Sequence, residues 1–290
     1  MNPLITIRDL NKSYGSKQVL SDINLTCQAG QIIGLVGPNG AGKTTCLQAL
    51  LGLTDFNGDI DVLGHHPQKD RVAMLEDVAY IADVAILPRW LKVSQALSYM
   101  NDIHKNFNLE KAQAFLAKTN IKTSDKVKAL SKGMITQLHL ALILAIDAKV
   151  LVLDEPTLGL DILTRRQFYS HLLEEFYTDE KCIIITTHQI EEIDHILTDV
   201  AFIQDGEIVL AQNTDDIRER FCLLAVSNEH LEQATQLKPL YKNSLLGLTS
   251  LLIDHTQLDD AQRAHLPTLG DVAVPSLADI FVGVMSKEAC

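Results

Sequence analysis

Positive charge is scarce. The 290 residues carry 25 Lys and Arg against 37 Asp and Glu, a net charge of −12 with a pI near 5.2. A sheath of cations for a nucleic-acid backbone is therefore missing at whole-chain level, leaving room only for a local patch. Cysteine is sparse and unpatterned. Cys27, Cys46, Cys182, Cys222 and Cys290 include no CxxC pair, and such an odd set fits reduced thiols in a cytosol. Long apolar runs are missing too. The richest, "LHLALILAIDAKVLVL" (138–153), is broken by Asp147 and Lys149 and is too short and too charged to span a bilayer. No basic stretch followed by an apolar one opens the chain, so no signal peptide is expected. Any service to a membrane comes from the water side. Repeats and low-complexity tracts are absent, and a composition of 47% hydrophobic and 21% charged residues argues against disorder.

What is present is a change of period along the chain. Residues 4–28 alternate apolar and polar positions, as half-buried antiparallel strands do. "QIIGLVG" is a continuous apolar run suited to a buried parallel strand, and "KTTCLQALLGL" has helical spacing ended by Gly52. From about 90 to 146 the pattern is helical, with Ser131 as the N-cap of "GMITQLHLALILAI". "KVLVLDE" and "CIIITTH" restore buried-strand runs, and "VAFIQDGEIVLA" predicts a hairpin closed by Asp205-Gly206. Beyond about 213 the periodicity weakens, and 219–290 read as a small mixed α/β appendage.

Between the first buried run and its helix lies "GPNGAGKT", which fits G-x-x-x-x-G-K-[ST] at every specified position. The loop comprises Gly37, Pro38, Asn39, Gly40, Ala41, Gly42, Lys43 and Thr44, with Thr45 next. Its glycines let successive N–H groups face phosphate oxygens, and the following helix adds its positive end. Lys43 is expected to reach the β- and γ-phosphates and the Thr44 hydroxyl to hold Mg²⁺. Downstream, "VLVLDE" ends a buried strand in Asp154, suited to Mg²⁺, and Glu155, suited to polarising an attacking water. Kinases, GTPases and motors share such a pair of motifs, so the pair does not name the task.

"LSKGM" (130–134) narrows the choice, because with the other motifs it resembles the ATP-binding subunit of an ABC transporter. The resemblance covers about residues 4–213, and its motifs come in the family's order. "SYG" with Tyr14 is similar to the aromatic loop that stacks on adenine. "TLGLD" with Asp161 is similar to the D-loop, and "ITTH" with His188 to the switch. The resemblance implies an α/β fold, the P-loop NTPase of ABC ATPase type. Such a fold has a mixed core sheet, an antiparallel β subdomain and a helical signature subdomain near 90–146. The expected division is an ATPase domain over 1–213 and a small C-terminal accessory domain over 219–290. It also implies ATP and Mg²⁺ as cofactors and two subunits packed head to tail, each ATP lying between one P-loop and the other subunit's signature. Ser131 and Gly133 would then meet the γ-phosphate across the dimer, His188 would contact it in cis, and Asp161 would communicate between the sites. The implied partners are a second ATPase subunit, most simply an identical copy, and an integral membrane permease subunit. The implied place is the cytoplasmic face of the cell membrane.

Two departures matter. The signature differs from LSGGQ at Lys132 and Met134, a variant familiar in ABC-2-type exporters, as is the ending "PSLADIFVGVM". Where the family has a Mg²⁺-contacting glutamine, placing Tyr80 as the usual aromatic brings Asp83 to that position, either as a replacement ligand or as a mere turn cap. The same loop holds Leu87, Trp90 and Leu91, with the only Trp of the chain available either for docking a permease helix or for core packing. A soluble ABC-type ATPase acting on ribosomes or DNA is the rival function. The single cassette, the lack of a long heptad run and the −12 balance disfavour it, and no nucleic-acid partner is expected. A small-molecule P-loop kinase leaves the signature, D-loop and His188 unexplained.

Overall fold

The computed structural model describes residues 3–82, 87–245 and 247–286. Strand β1 (Ile5–Tyr14) pairs antiparallel with β2 (Lys17–Cys27), burying Ile5, Ile7, Leu10, Leu20 and Ile23 on one face. The alternation seen in the sequence is thus the two faces of one hairpin. The buried strand β3 (Ile32–Val36) leads into helix α1 (Lys43–Leu50), and β4 (Asn57–Val62) returns to the first sheet, giving the order β2-β1-β4. A short α2 (Arg71–Met74) precedes β5 (Val78–Ile81).

Three helices follow: α3 (Val93–Ile103), α4 (Leu109–Ala117) and α5 (Lys132–Leu144). Ser131 caps α5, its Oγ accepting from the Met134 amide at 3.2 Å. Then come β6 (Val150–Asp154), α6 (Ile162–Glu175), β7 (Cys182–Thr187) and the hairpin β8 (Asp199–Gln204) to β9 (Glu207–Asn213). Asp205 and Gly206 close that hairpin with φ of 50° and 86°, the left-handed pair a tight primed turn needs.

The core sheet runs β5-β6-β7-β3-β8-β9, parallel except for the last pair. Every residue of β3, β6 and β7 is buried, which is why these strands read as unbroken apolar runs. Their carboxyl ends align: Val36 lies opposite Thr187, and Asp154 opposite Thr186. A ligand of an open parallel sheet binds at that edge.

After α7 (Thr214–Arg220) the chain builds a separate antiparallel sheet. Its elements are β10 (Phe221–Ser227), α8 (Leu231–Thr235), β11 (Tyr241–Leu245), β12 (Leu248–Asp254), α9 (Asp260–Leu269), β13 (Asp271–Ala273) and α10 (Leu277–Met285). The strand order is β11-β12-β10-β13. Cys222, Leu224, Leu251, Ile253, Leu266 and Leu269 belong to a small core of its own. Helix α10 joins the two parts: Phe281 meets Phe202 edge to face at 5.2 Å, and the Gln204 amide donates to the Met285 carbonyl at 3.3 Å. The same helix packs on the turn Ile190–Glu192, just past His188.

One ion pair anchors this C-terminal sheet. Buried Asp254 accepts from Arg220 Nη2 at 2.7 Å and Nε at 3.1 Å, and from the Thr256 amide and hydroxyl. Burial raises its carboxyl pKa, but the Arg220 and Thr256 hydrogen bonds outweigh that and hold it below the ordinary value. A carboxyl depressed on folding contributes stability above its unfolded pKa, about 4, and the contribution is lost as pH falls through the folded value. Urea midpoints are therefore expected to drop as pH falls below about 4. Asp254→Asn should lower the pH 7 stability by about 1–3 kcal/mol and flatten that dependence. An unchanged acid slope in the variant would show that another carboxyl is responsible.

Candidate functional site

The loop after β3 wraps the carboxyl edge of the sheet. Gly37 donates its N–H to the Thr187 carbonyl at 3.4 Å, and a Cβ there would lie 2.3 Å from the Ile203 carbonyl oxygen. Only glycine fits that approach, because the obstacle is backbone and cannot rotate away. Gly42 caps α1 with left-handed backbone (φ 110°) and no side-chain cap, and the first-turn amides of α1, as in any helix, have no carbonyl to reach within it.

A cavity of about 420 Å³ opens in front of this loop. Asn39, Gly40, Gly42, Lys43, Thr44 and Thr45 form one wall, and Glu155, Leu158 and His188 face them. Lys17 and Val19 of β2 complete the lining. Gly37, Pro38 and Ala41 shape the loop without lining the cavity; Ala41 is buried, and its carbonyl accepts from Gly206 at 3.1 Å.

Lys43 is buried, and its ammonium donates to the Gly37 carbonyl at 2.8 Å and the Pro38 carbonyl at 3.3 Å. It also stands 3.3 Å from Glu155 Oε1. The other oxygen of Glu155 lies 2.9 Å from His188 Nδ1, so one carboxylate is held between a lysine and an imidazole. Facing a carboxylate, Nδ1 carries the ring proton and leaves Nε2 for a second partner. Glu155 has φ 46°, a left-handed backbone that costs a bulky side chain about 1–3 kcal/mol. Three hydrogen bonds hold it there: its N–H is shared between Thr186 Oγ1 at 3.0 Å and the Thr186 carbonyl at 3.2 Å, and its carbonyl accepts from Leu158 N–H at 3.1 Å.

Asp154 lies at the sheet edge, 1% exposed. Its Oδ1 accepts from Thr186 Oγ1 at 2.6 Å and from Thr44 Oγ1 at 3.2 Å. A hydroxyl and a carboxylate side by side are hard oxygen donors. Thr186, placed between Asp154 and the Glu155 amide, is the functional residue that sequence reading missed. Its only signal is to be one of two adjacent threonines that end an apolar strand, two residues before His188.

The remaining predicted residues fall elsewhere. Tyr14 is half exposed, does not line the cavity, and has Lys12 Nζ over its ring at 4.6 Å. It pairs across the hairpin with Lys17, which does line it. Ser131 and Gly133 stand at the start of α5, off the cavity lining. Asp161 caps α6, accepting from the Leu163 and Thr164 amides at 3.0 Å and from Thr164 Oγ1 at 2.7 Å. Those hydrogen bonds, the Thr164 amide first, pull its carboxyl below the ordinary value. Asp83 lies outside the described residues. Trp90 is 68% exposed while Leu87 and Leu91 pack on the main core, so core packing is not its use. Cys46, in α1 beside the loop, is buried and its thiol is pushed up to about 12, which leaves it inert.

The ABC transporter family profile matches residues 20–158, spanning the P-loop, the signature and the Asp154–Glu155 pair. An ABC transporter ATP-binding protein of Bacillus subtilis, YdbJ, is 32% identical over 224 residues, covering 75% of this chain and 73% of that protein. The chain belongs to the ATP-binding subunits of ABC transporters. The Nod factor export ATP-binding protein I of Burkholderia lata is 34% identical, covering 70% of this chain and 68% of that one. An aliphatic sulfonates import ATP-binding protein, SsuB of Corynebacterium glutamicum, is 32% identical over 74% of this chain and 86% of its own. The solved structure of an ATP-binding subunit of an ABC transporter superposes with a TM-score of 0.68 at 22% identity, covering 74% of this chain and 92% of that one. The fold is thus that of the ABC ATPases. As a member of this family the ABC subunit binds ATP and hydrolyses it. No helix among the described residues is long and apolar enough to cross a membrane.

Proposed function

We propose that this chain is the energy-coupling subunit of an exporter, working as a head-to-tail dimer on the cytoplasmic face of a membrane beside a separate permease subunit. The reading divides the chain into an ATPase unit over 1–213 and an accessory unit over 219–290. The observation that carries it is the incompleteness of the cavity. Lys43, Glu155 and His188 converge on it, while Ser131 and Gly133, at a helix start fit for an anion, stand off its lining. Closing a second copy over the cavity would add that helix start. Since Glu155 and the signature occur in one chain, two identical copies make two competent sites. Export is favoured by the Lys132–Met134 form of the signature and by the name of the Burkholderia relative, against one relative named for import.

In this reading the P-loop amides and Lys43 bind the phosphates, and Tyr14 stacks on the base. Thr44 and Asp154 would hold Mg²⁺, whose chemistry is to neutralise charge on the β- and γ-oxygens. Glu155 takes a proton from the attacking water, and His188 orients Glu155 through Nδ1, its ring lining the cavity where the γ-phosphate would lie. Ser131 and Gly133 serve the partner's nucleotide, and Asp161 keeps α6 capped beside them. Asp83 is proposed beside the metal on its sequence position alone.

Trp90 is proposed as the anchor for the permease. Trp90→Ala is expected to lose co-purification with a multi-span protein from detergent-solubilised membranes, by tenfold or more. Its basal ATPase rate and melting temperature should match those of the parent. Equal recovery of the membrane protein by the variant would remove Trp90 from the docking surface.

A further inference from the structure

The signature departs from the family pattern at Lys132, and the structure gives that side chain a destination. Its ammonium crosses to the loop after Glu155 and donates to the Leu158 carbonyl at 2.9 Å. The neighbouring Gly159 has φ 72°, and a Cβ there would lie 2.3 Å from Lys132 Nζ. The ammonium therefore occupies the notch that the missing side chain leaves. Leu158 lines the nucleotide cavity, and its N–H donates to the Glu155 carbonyl at 3.1 Å. A second contact runs alongside. The open face of Gly133 looks onto the Thr164 methyl, with 3.4 Å to a Cβ built there, and Thr164 Oγ1 holds Asp161.

These contacts form one path. It runs from the start of α5 through Lys132 to Leu158, and from Leu158 to the backbone of Glu155. Glu155 is the strained end, in left-handed backbone with its carboxylate shared by Lys43 and His188. A small rotation of the 157–161 loop would change where that carboxylate points. Met or Gly at 132 could not make the tie, since neither offers a donor that reaches Leu158.

We propose that Lys132 is a positioning residue that ties the signature helix to the Leu158–Gly159 loop of its own chain. Engagement of a partner's nucleotide at the start of α5 then sets Glu155 in this chain's own cavity. The proposal rests on the sandwich-dimer reading above. It makes the two sites of a dimer depend on each other through one hydrogen bond inside each subunit.

The test compares the full-length chain with Lys132→Met and Lys132→Arg. Lys132→Met is expected to lower kcat about tenfold and to move the Hill coefficient for ATP from near two toward one. A fluorescent ATP analogue should bind the isolated chain with unchanged affinity, and the melting temperature should hold. Lys132→Arg, which keeps the donor, should recover most of the rate and the cooperativity. Dimer formation with ATP, followed by light scattering in a Glu155→Gln background, should be the same with Lys or Met at 132. Unchanged kcat and Hill coefficient in Lys132→Met would overturn the proposal. So would weaker dimerisation, which would put the ammonium on nucleotide across the interface, or a fallen melting temperature without rescue by Arg. If Glu155→Gln with Lys132 intact forms no ATP-dependent dimer, the sandwich reading itself fails, and the proposal goes with it.

Discussion

Glu155→Gln is expected to lower steady-state ATP hydrolysis by about 10²–10⁴-fold, the usual contribution of a positioned general base. The substitution keeps the shape of the side chain and an oxygen that can still accept from His188. It removes the basicity needed to take a proton from water. It also removes the negative charge 3.3 Å from Lys43 Nζ, so the ammonium is freer to face phosphate. ATP affinity is therefore expected to rise while turnover collapses, and that split identifies the group as a base rather than a binding residue. Single-turnover hydrolysis and fluorescent-nucleotide titration read the two effects separately. A variant that retained more than a tenth of the parent rate would show that the proton goes elsewhere.

Lys43→Met should act at the opposite point, with ATP affinity falling by about 10²-fold or more. Hydrogen bonds to charged groups contribute about 1.5–3 kcal/mol each, and 1.4 kcal/mol is tenfold in affinity. Lys43 is buried and is held by the carbonyls of Gly37 and Pro38, so it is already placed within reach of a phosphate on the loop. Its loss also strips Glu155 of a cation and leaves His188 as that carboxylate's remaining partner. Some loss of thermal stability is expected as well, because the Gly37 and Pro38 carbonyls lose a donor. Isothermal titration with ATP checks the first effect and a thermal melt the second. Affinity within a few-fold of the parent would mean that the loop amides alone hold the phosphates.

The two variants bracket what could be read from residues and what could not. The P-loop was legible because its chemistry is local: glycine spacing, a lysine and a hydroxyl within eight residues, between a buried run and a helix. The strand order was harder. Asp154 and Thr44 are 110 residues apart, and only the parallel register of β3, β6 and β7 brings them to 3.2 Å. Thr186 shows the limit plainly, since a threonine in a buried strand looks alike whether it packs or donates. Trp90 offered two uses, and exposure removed one of them. The resemblance implies that Asp161 communicates between sites, and the structure adds that its carboxylate is already engaged as a helix cap.

By itself, the sequence determined the nucleotide loop, the paired carboxylates at a strand end, the ordered motifs of the ABC family and the interruption of its richest apolar run by Asp147 and Lys149. Those depend on short-range spacing and on apolar patterning, which survive without coordinates. Only the tertiary structure decided that Glu155 is gripped from two sides in strained backbone, and that the Lys132 ammonium reaches the Leu158 carbonyl. It also decided that α10 braces the turn beyond His188. Each of these is a contact between distant parts of the chain, and its direction is set by how sheets and helices pack, which no local pattern encodes.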